Sequence, residues 1–418
     1  DDMSDEALRQ AALAYHAMPR PGKIGTHVFK PAESSRDLAL AYSPGVAEPV
    51  LAIAADPEAA YEYTNKGNLI GIVTDGSAIL GLGNLGALAS KPVMEGKALL
   101  FKRFADLDCV DIEIDAETAE SFIDTVARIA DSFGGINIED VGAPQCFAIE
   151  EALRARCKVP VFHDDQHGTA ICVVAGLLNA LELQGKRLNE AKIVCLGSGA
   201  AGTATLRLLR SMGVPVANMT AVDRQGVIHA GRENLPDYKA EFANESRHRT
   251  LADALRGADV FIGVSAAGLL DAELLRSMAP RPVIFALANP EPEVRPSAAR
   301  AIRDDVIVAT GRSDFPNQVN NVLCFPFIFR GALDVRAHAI TEEMKIAAAH
   351  AIANLTKEAV PEEVIKAYPD VTGLTFGPEY ILPKPMDPRL REVVASAVAK
   401  AAIASGVAGK AYPSHYLK

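Results

Sequence analysis

The sequence predicts an α/β protein with an N-terminal α/β substrate domain, a doubly wound, Rossmann-like parallel sheet and a helical C-terminal extension. Three observations carry that reading. Strand-like apolar runs alternate with helical stretches from Val159 onward. A GxGxxG turn made of Gly197, Ser198, Gly199, Ala200, Ala201 and Gly202 separates one such run from the helix after it. Acidic residues gather at the ends of two predicted strands, where ligands of open α/β sheets bind.

The first block, residues 1–158, opens on a helical pattern over 4–17 that Pro19 and Pro21 end. Apolar runs at Leu69–Thr74, Val110–Ile114 and Ile136–Ile138 predict strands, with a helix over Ala119–Ser132 between the last two. The second block, 159–418, reads VPVF as a strand, TAICVVAGLLNALEL as a helix, AKIVCLG as a strand, TATLRLLRSMG as a helix and MTAVD as a strand. Val260–Val264, Val283–Ala288 and Val306–Thr310 continue the alternation, giving a core over about 159–330. Residues 331–418 turn mainly helical and alanine-rich, which predicts a packing extension.

Composition narrows the function. With 418 residues, 49% hydrophobic and 23% charged, the chain can bury a real core and is neither a disordered tail nor a membrane bundle. A net charge of −11 has the wrong sign for wrapping nucleic acid, so a small-molecule partner is expected. The longest apolar stretch, Ile171–Leu181, contains Asn179 and is too short to span a bilayer, and the acidic N-terminus does not resemble a signal peptide. Six cysteines without a CxxC pair predict a reducing, cytoplasmic setting and argue against a thiolate metal site.

GxGxxG occurs twice, and context separates the copies. Gly197–Gly202 follows strand KIVCL, precedes a helix and has Asp223 at the end of the next strand, the setting of a dinucleotide pyrophosphate. Gly81, Gly83 and Gly86 precede ALASKP, where Pro92 blocks an immediate long helix, so this copy reads as a turn of close-packed backbone. Asp223 suits the ribose 2′-hydroxyl of NAD, whereas Arg224 beside it favours NADP.

Glu139 and Asp140 end one predicted strand, and Asp164 and Asp165 lie at the next strand-to-helix junction. Oxygen ligands without a thiolate suit Mg²⁺ or Mn²⁺ and leave positions for a chelating substrate. Helix capping explains Asp164 or Asp165 singly. His163 and His167 read as supporting rather than ligating groups. Lys97 lies in an apolar run, where burial would lower its pKa and fit it as a general base; a surface lysine lying along the chain is the plain alternative. Tyr42 precedes a Ser-Pro-Gly turn, so its hydroxyl could face a cleft rather than the core.

The segments AYSPGVAEP, GNLIGIVTDGSAILGLGNLG, KPVMEGKALLFK, GGINIEDVGAPQCF, PVFHDDQHGTA, ALANPEPE and TGRSDFPNQVNNVLCFPFIFRGALD resemble the bacterial malic enzymes in sequence and in order, over residues 10–405. Within that family the chain is similar to the malic-enzyme half of the hybrid type, in which a phosphotransacetylase-like domain follows. That domain is absent from this sequence, and a start at Asp1 rather than Met is expected of a trimmed chain.

The resemblance implies oxidative decarboxylation of L-malate to pyruvate with NADP or NAD, NADP being favoured by the hybrid type. It implies Lys97 as general base, Tyr42 as the acid that protonates the enol and Asp164 as the acid beside the lysine. Glu139, Asp140 and Asp165 become the metal ligands. Asn289, with Asn320 or Asn321, would hold substrate or nicotinamide. It also implies a homodimer or higher homo-oligomer, with the tyrosine able to come from a neighbouring subunit. The family's arginine for the far carboxylate is replaced by Ala78, leaving Arg20, Lys23 and Arg312 as candidates. Two other readings remain: a 2-hydroxy-acid or amino-acid dehydrogenase that needs no metal, and a catalytically dead nucleotide sensor.

Overall fold

The computed structural model describes residues 5–416. The first sheet holds β1 (Leu69–Thr74), β2 (Asp108–Glu113), β3 (Gly135–Ile138) and β4 (Val161–His163), all parallel, in the order β2-β1-β3-β4. Helices Lys91–Ala105, Ala119–Ile129 and Gln145–Arg156 make the crossovers. β1 and β3 are apolar nearly throughout because helices cover both faces of a parallel sheet.

β4 corrects the predicted boundary. It pairs with β3, Ile136 opposite Val161 and Ile138 opposite His163, so it closes the first sheet instead of opening the second. The division at 158/159 therefore cuts the first sheet. A three-residue strand carries no signal for its neighbour, and it is the following helix, Asp164–Leu183, that crosses over.

The second sheet holds β5 (Ile193–Leu196), β6 (Met219–Asp223), β7 (Gly226–Val227), β8 (Val260–Gly263), β9 (Val283–Ala286) and β10 (Ile307–Thr310), in the order β10-β9-β8-β5-β6-β7. Only the short β7, which the sequence did not reveal, runs antiparallel. Strand order reverses beside β5, and a crevice opens there at the carboxyl ends of the strands.

The helix that ends the predicted core and enters the C-terminal extension packs against the first sheet. Helix Phe325–Asp334 is almost wholly buried; its Phe325 and Phe329 rings stand 4.9 and 5.6 Å from Phe101, and Phe329 lies 5.7 Å from Phe162. Arg330 of that helix donates to Asn68 Oδ1 at 2.8 Å and to the Ala105 carbonyl. One continuous core thus includes residues of both sheets. Asn179, odd in an apolar helix, is buried and donates to the Ala353 and Ile381 carbonyls at 3.0 Å each, tying that helix to the C-terminal layer. Among the described residues no helix is long and apolar enough to cross a membrane.

Candidate active site

Four acids and one lysine converge where β3 and β4 end. β3 stops at Ile138; the Glu139 N–H still bonds to the Val73 carbonyl, and Asp140 then turns into the left-handed region at φ 53°. That turn lets consecutive side chains point to one place, which a continuing strand forbids. Asp164 and Asp165 open helix Asp164–Leu183 directly after β4. Lys97 comes from mid-helix in Lys91–Ala105, its Nζ lying 3.8 Å from the centre of the Phe325 ring.

Lys97 Nζ donates to Asp164 Oδ2 at 2.5 Å and reaches Glu139 Oε2 at 3.1 Å. Asn321 Nδ2 donates to the same Asp164 oxygen at 3.0 Å, and Thr169 donates to Asn321 Oδ1. Gly168, one helical turn after Asp164, is required here, since a Cβ would collide with the Asp164 carboxylate. The expected fall in the Lys97 pKa is not what the surroundings produce. Burial does push the ammonium down, but Asp164, Glu139 and Asp165 together outweigh it and raise it above the ordinary lysine value.

Glu139, Asp140 and Asp165 each offer a carboxylate oxygen within 4.8 Å of the others, a set that can hold one divalent cation. Burial pushes the Glu139 carboxyl well above its usual range, and burial with the neighbouring Asp165 charge lifts Asp140 to about 7. Asp140 Oδ2 is buried with no hydrogen-bond partner. Crowded carboxylates with an unused buried oxygen are what a hard cation satisfies, so the donor set fits Mg²⁺ or Mn²⁺.

Asp165 is held by two donors on Oδ2, the Asp140 N–H at 2.8 Å and the His163 ring at 3.0 Å. His167 turns the other way, its Nε2 lying 2.6 Å from buried Glu150, whose other oxygen takes the His163 N–H at 2.7 Å. Both histidines are thus supports, and Glu150 is an anchor that sequence reasoning missed. Its helix is weakly patterned, and nothing local distinguishes it from Glu151.

The Gly197 turn faces the crevice of the second sheet. Gly197 has φ +113°, and a Cβ there would stand 2.8 Å from the Val264 carbonyl; Gly199 then caps helix Ala200–Ser211, which also carries Ala201 and Gly202. Leu196, Gly197, Ser198 and Gly199 line a cleft of about 1000 Å³ together with Asp223 and Arg224.

Models of the malic enzyme N-terminal domain and of the malic enzyme NAD binding domain match residues 21–154 and 166–375. The chain belongs to the malic enzyme family. It is 62% identical over 411 residues to the NADP-dependent malic enzyme of Halomonas elongata, covering 98% of this chain and 97% of that one. The NAD-dependent malic enzyme of Rhizobium meliloti is 56% identical over 402 residues, covering 96% of this chain and 52% of that protein, about half its length. The crystal structure of malic enzyme from Pyrococcus horikoshii matches with a TM-score of 0.89 at 44% identity, covering 97% of this chain and 92% of that one.

Tyr42 and Asn289 form no hydrogen bond with Lys97 or the acids among the described residues. Tyr42 follows helix Ser35–Ala41 and is 76% exposed, and its hydroxyl bonds to none of the described residues. Asn289 is exposed beyond β9. Asn320 spends its Oδ1 on the Val322 N–H as a helix cap, leaving Asn321 as the asparagine at the cluster. The first glycine copy is a turn, as expected, but not a close-packed one: a Cβ at Gly81, Gly83 or Gly86 would meet nothing within 4 Å.

Ala78 sits beside the acids, its N–H bonded to the Asp140 carbonyl at 3.0 Å. Of the candidate cations, Arg312 is consumed by Asp314 and Glu291, and the Arg20 guanidinium lies near Gly25. Lys23 reaches helix Lys91–Ala105, donating to the Pro92 carbonyl at 2.6 Å and passing over Gly96, next to Lys97.

Proposed function

We propose that this chain oxidises and decarboxylates L-malate to pyruvate and CO₂ while reducing NADP. The observation that carries the reading is the buried Lys97, fixed between Asp164 and Glu139 at the edge of a three-carboxylate group. Glu139, Asp140 and Asp165 would hold a Mg²⁺ or Mn²⁺ ion. When bound, the cation supplies Lewis acidity toward the oxygens of a 2-hydroxy acid, and the nicotinamide supplies the hydride acceptor.

The chain's own residues handle the protons. Lys97 must shed a proton before it can accept one from the C2 hydroxyl, and Asp164, 2.5 Å away, is the group placed to receive it. Asn321 keeps Asp164 aimed at the amine. When the C3–C4 bond breaks and CO₂ leaves, Lys97 returns its proton to the enolate oxygen; Tyr42 then protonates C3 while Lys97 takes the enol proton back, completing the ketone of pyruvate. Asn289 and the Gly197 turn position the dinucleotide, and Lys23, lying over Gly96, serves the distal carboxylate.

Reduced nicotinamide formed from L-malate and Mn²⁺ with an equal yield of pyruvate tests the reading, and EDTA is expected to abolish it. Oxaloacetate accumulating without pyruvate, unaffected by EDTA, would instead make the chain a simple 2-hydroxy-acid dehydrogenase.

The active form is a homodimer in which Tyr42 serves the Lys97 site of its partner. Helices Asp5–Ala17, Ser35–Ala41 and Ala47–Ala55 bury none of their residues, and Leu38, Leu40, Val50 and Leu51 join Tyr42 on the exposed surface. So much uncovered apolar surface marks an interface. Mixed after dissociation, Tyr42→Phe and Lys97→Ala chains are expected to regain turnover that neither has alone, because one hybrid site carries both native residues. Absence of recovery in demonstrated hybrids would place Tyr42 with the Lys97 of its own chain.

A further inference from the structure

One buried carboxylate sets how the crevice of the second sheet opens. Where β8 and β9 end, their last ladder bonds run from the Val264 N–H to the Leu196 carbonyl and from the Leu287 N–H to the Gly263 carbonyl, both at 2.9 Å. The next amide in each segment turns to Glu293 instead: the Ser265 N–H donates to Oε2 at 3.1 Å and the Ala288 N–H to Oε1 at 2.9 Å. Glu293 is wholly buried, and β8 ends on Gly263 to admit it, since a Cβ there would collide with the carboxylate. Main-chain bonds close the tie, from the Gly268 N–H to the Pro292 carbonyl and from the Leu270 N–H to the Glu293 carbonyl, both at 3.2 Å.

A buried carboxylate held by amides rather than by a cation is costly to keep. Burial raises the Glu293 carboxyl above its usual range, and its backbone donors draw it back down. Glutamine, the neutral side chain of the same shape, has one acceptor atom and would turn an NH₂ group toward the second N–H. The two amides open the loops that wall the crevice: Val264, Ser265 and Leu269 line it beside the Gly197 turn, and Asn289 follows Ala288 directly. None of these bonds involves Lys97 or the acids around it.

We infer that Glu293 is a positioning residue for the coenzyme, acting through Ser265 and Ala288 to hold both loops at the spacing a nicotinamide dinucleotide requires. The inference rests on the reading that this crevice holds that coenzyme. Glu293 itself has no exposed surface, so it touches no ligand, and it leaves the proton chemistry at Lys97 to other groups.

Titration calorimetry with NADP and, separately, with Mn²⁺ tests this without turnover, in Glu293→Gln and in Gly263→Ala, which crowds the carboxylate from the strand side. Each variant is expected to bind NADP about tenfold or more weakly, the worth of one hydrogen bond to a charged group. Mn²⁺ affinity should stay at the parent value, because the acids are held by other elements. Two folded variants with the parent's affinity for NADP would overturn the inference while malate oxidation stands. So would a loss of Mn²⁺ binding as large as the loss of NADP binding, which is what a general loosening of the fold would give. A parent that does not bind NADP would sink the coenzyme reading and this inference with it.

Discussion

Lys97→Ala is expected to lower the turnover of malate by about 10²–10⁴-fold, the usual worth of a general base. The substitution removes the ammonium that Asp164 and Glu139 both contact and leaves the two buried carboxylates facing each other. Stability must therefore be measured alongside activity. Lys97→Met, which fills the space over the Phe325 ring without the charge, separates the two effects. If the methionine variant folds normally and turns over at the parent rate, Lys97 has no part in the chemistry. The loss should also appear in the decarboxylation half of the cycle, since pyruvate formation from oxaloacetate calls on the same amine.

Asp165→Ala should raise the Mn²⁺ concentration for half-maximal activity by about 100-fold or more, beyond the 10- to 100-fold typical of losing a group that merely supports a ligand. His163→Ala gives the comparison, because that ring only holds Asp165 in place, and it should fall within the smaller range. Direct titration of Mn²⁺ by calorimetry checks both without relying on turnover. An Asp165→Ala protein with the parent's affinity for Mn²⁺ would remove this carboxylate from the metal site. Folding should survive, since Asp165 is partly accessible and its principal partners are a backbone N–H and one ring.

The parallel strands and the glycine turn were legible because both faces of β1, β3 and β5 are apolar and because Gly197 sits between strand and helix. The acids were legible as a group for the same reason: they lie where strands stop. Their separate jobs were not. Asp164 and Asp165 are neighbours in sequence, and only the start of the helix sends one to Lys97 and the other to Asp140.

Arg232 and Lys239, which bond to Asp223, lie nine and sixteen residues after it, beyond the two-residue β7 and, for Lys239, in a four-residue helix, too short for a periodicity that would reveal them. Neither does a sequence distinguish an asparagine that caps a turn, as Asn320 does, from one that faces a lysine, as Asn321 does. The direction of the Lys97 shift was missed for a related reason. Burial is visible in an apolar run, whereas three carboxylates brought from other elements are not.

The Phe325 ring beneath Lys97 has a consequence for biosynthesis. A chain emerging from the ribosome exposes the first sheet long before residue 325 is made, so until then the lysine lacks the aromatic surface that covers it. The amino-terminal half must wait, incompletely packed, for a late helix to arrive, and nascent chains arrested before that helix should remain open to proteases in helix Lys91–Ala105.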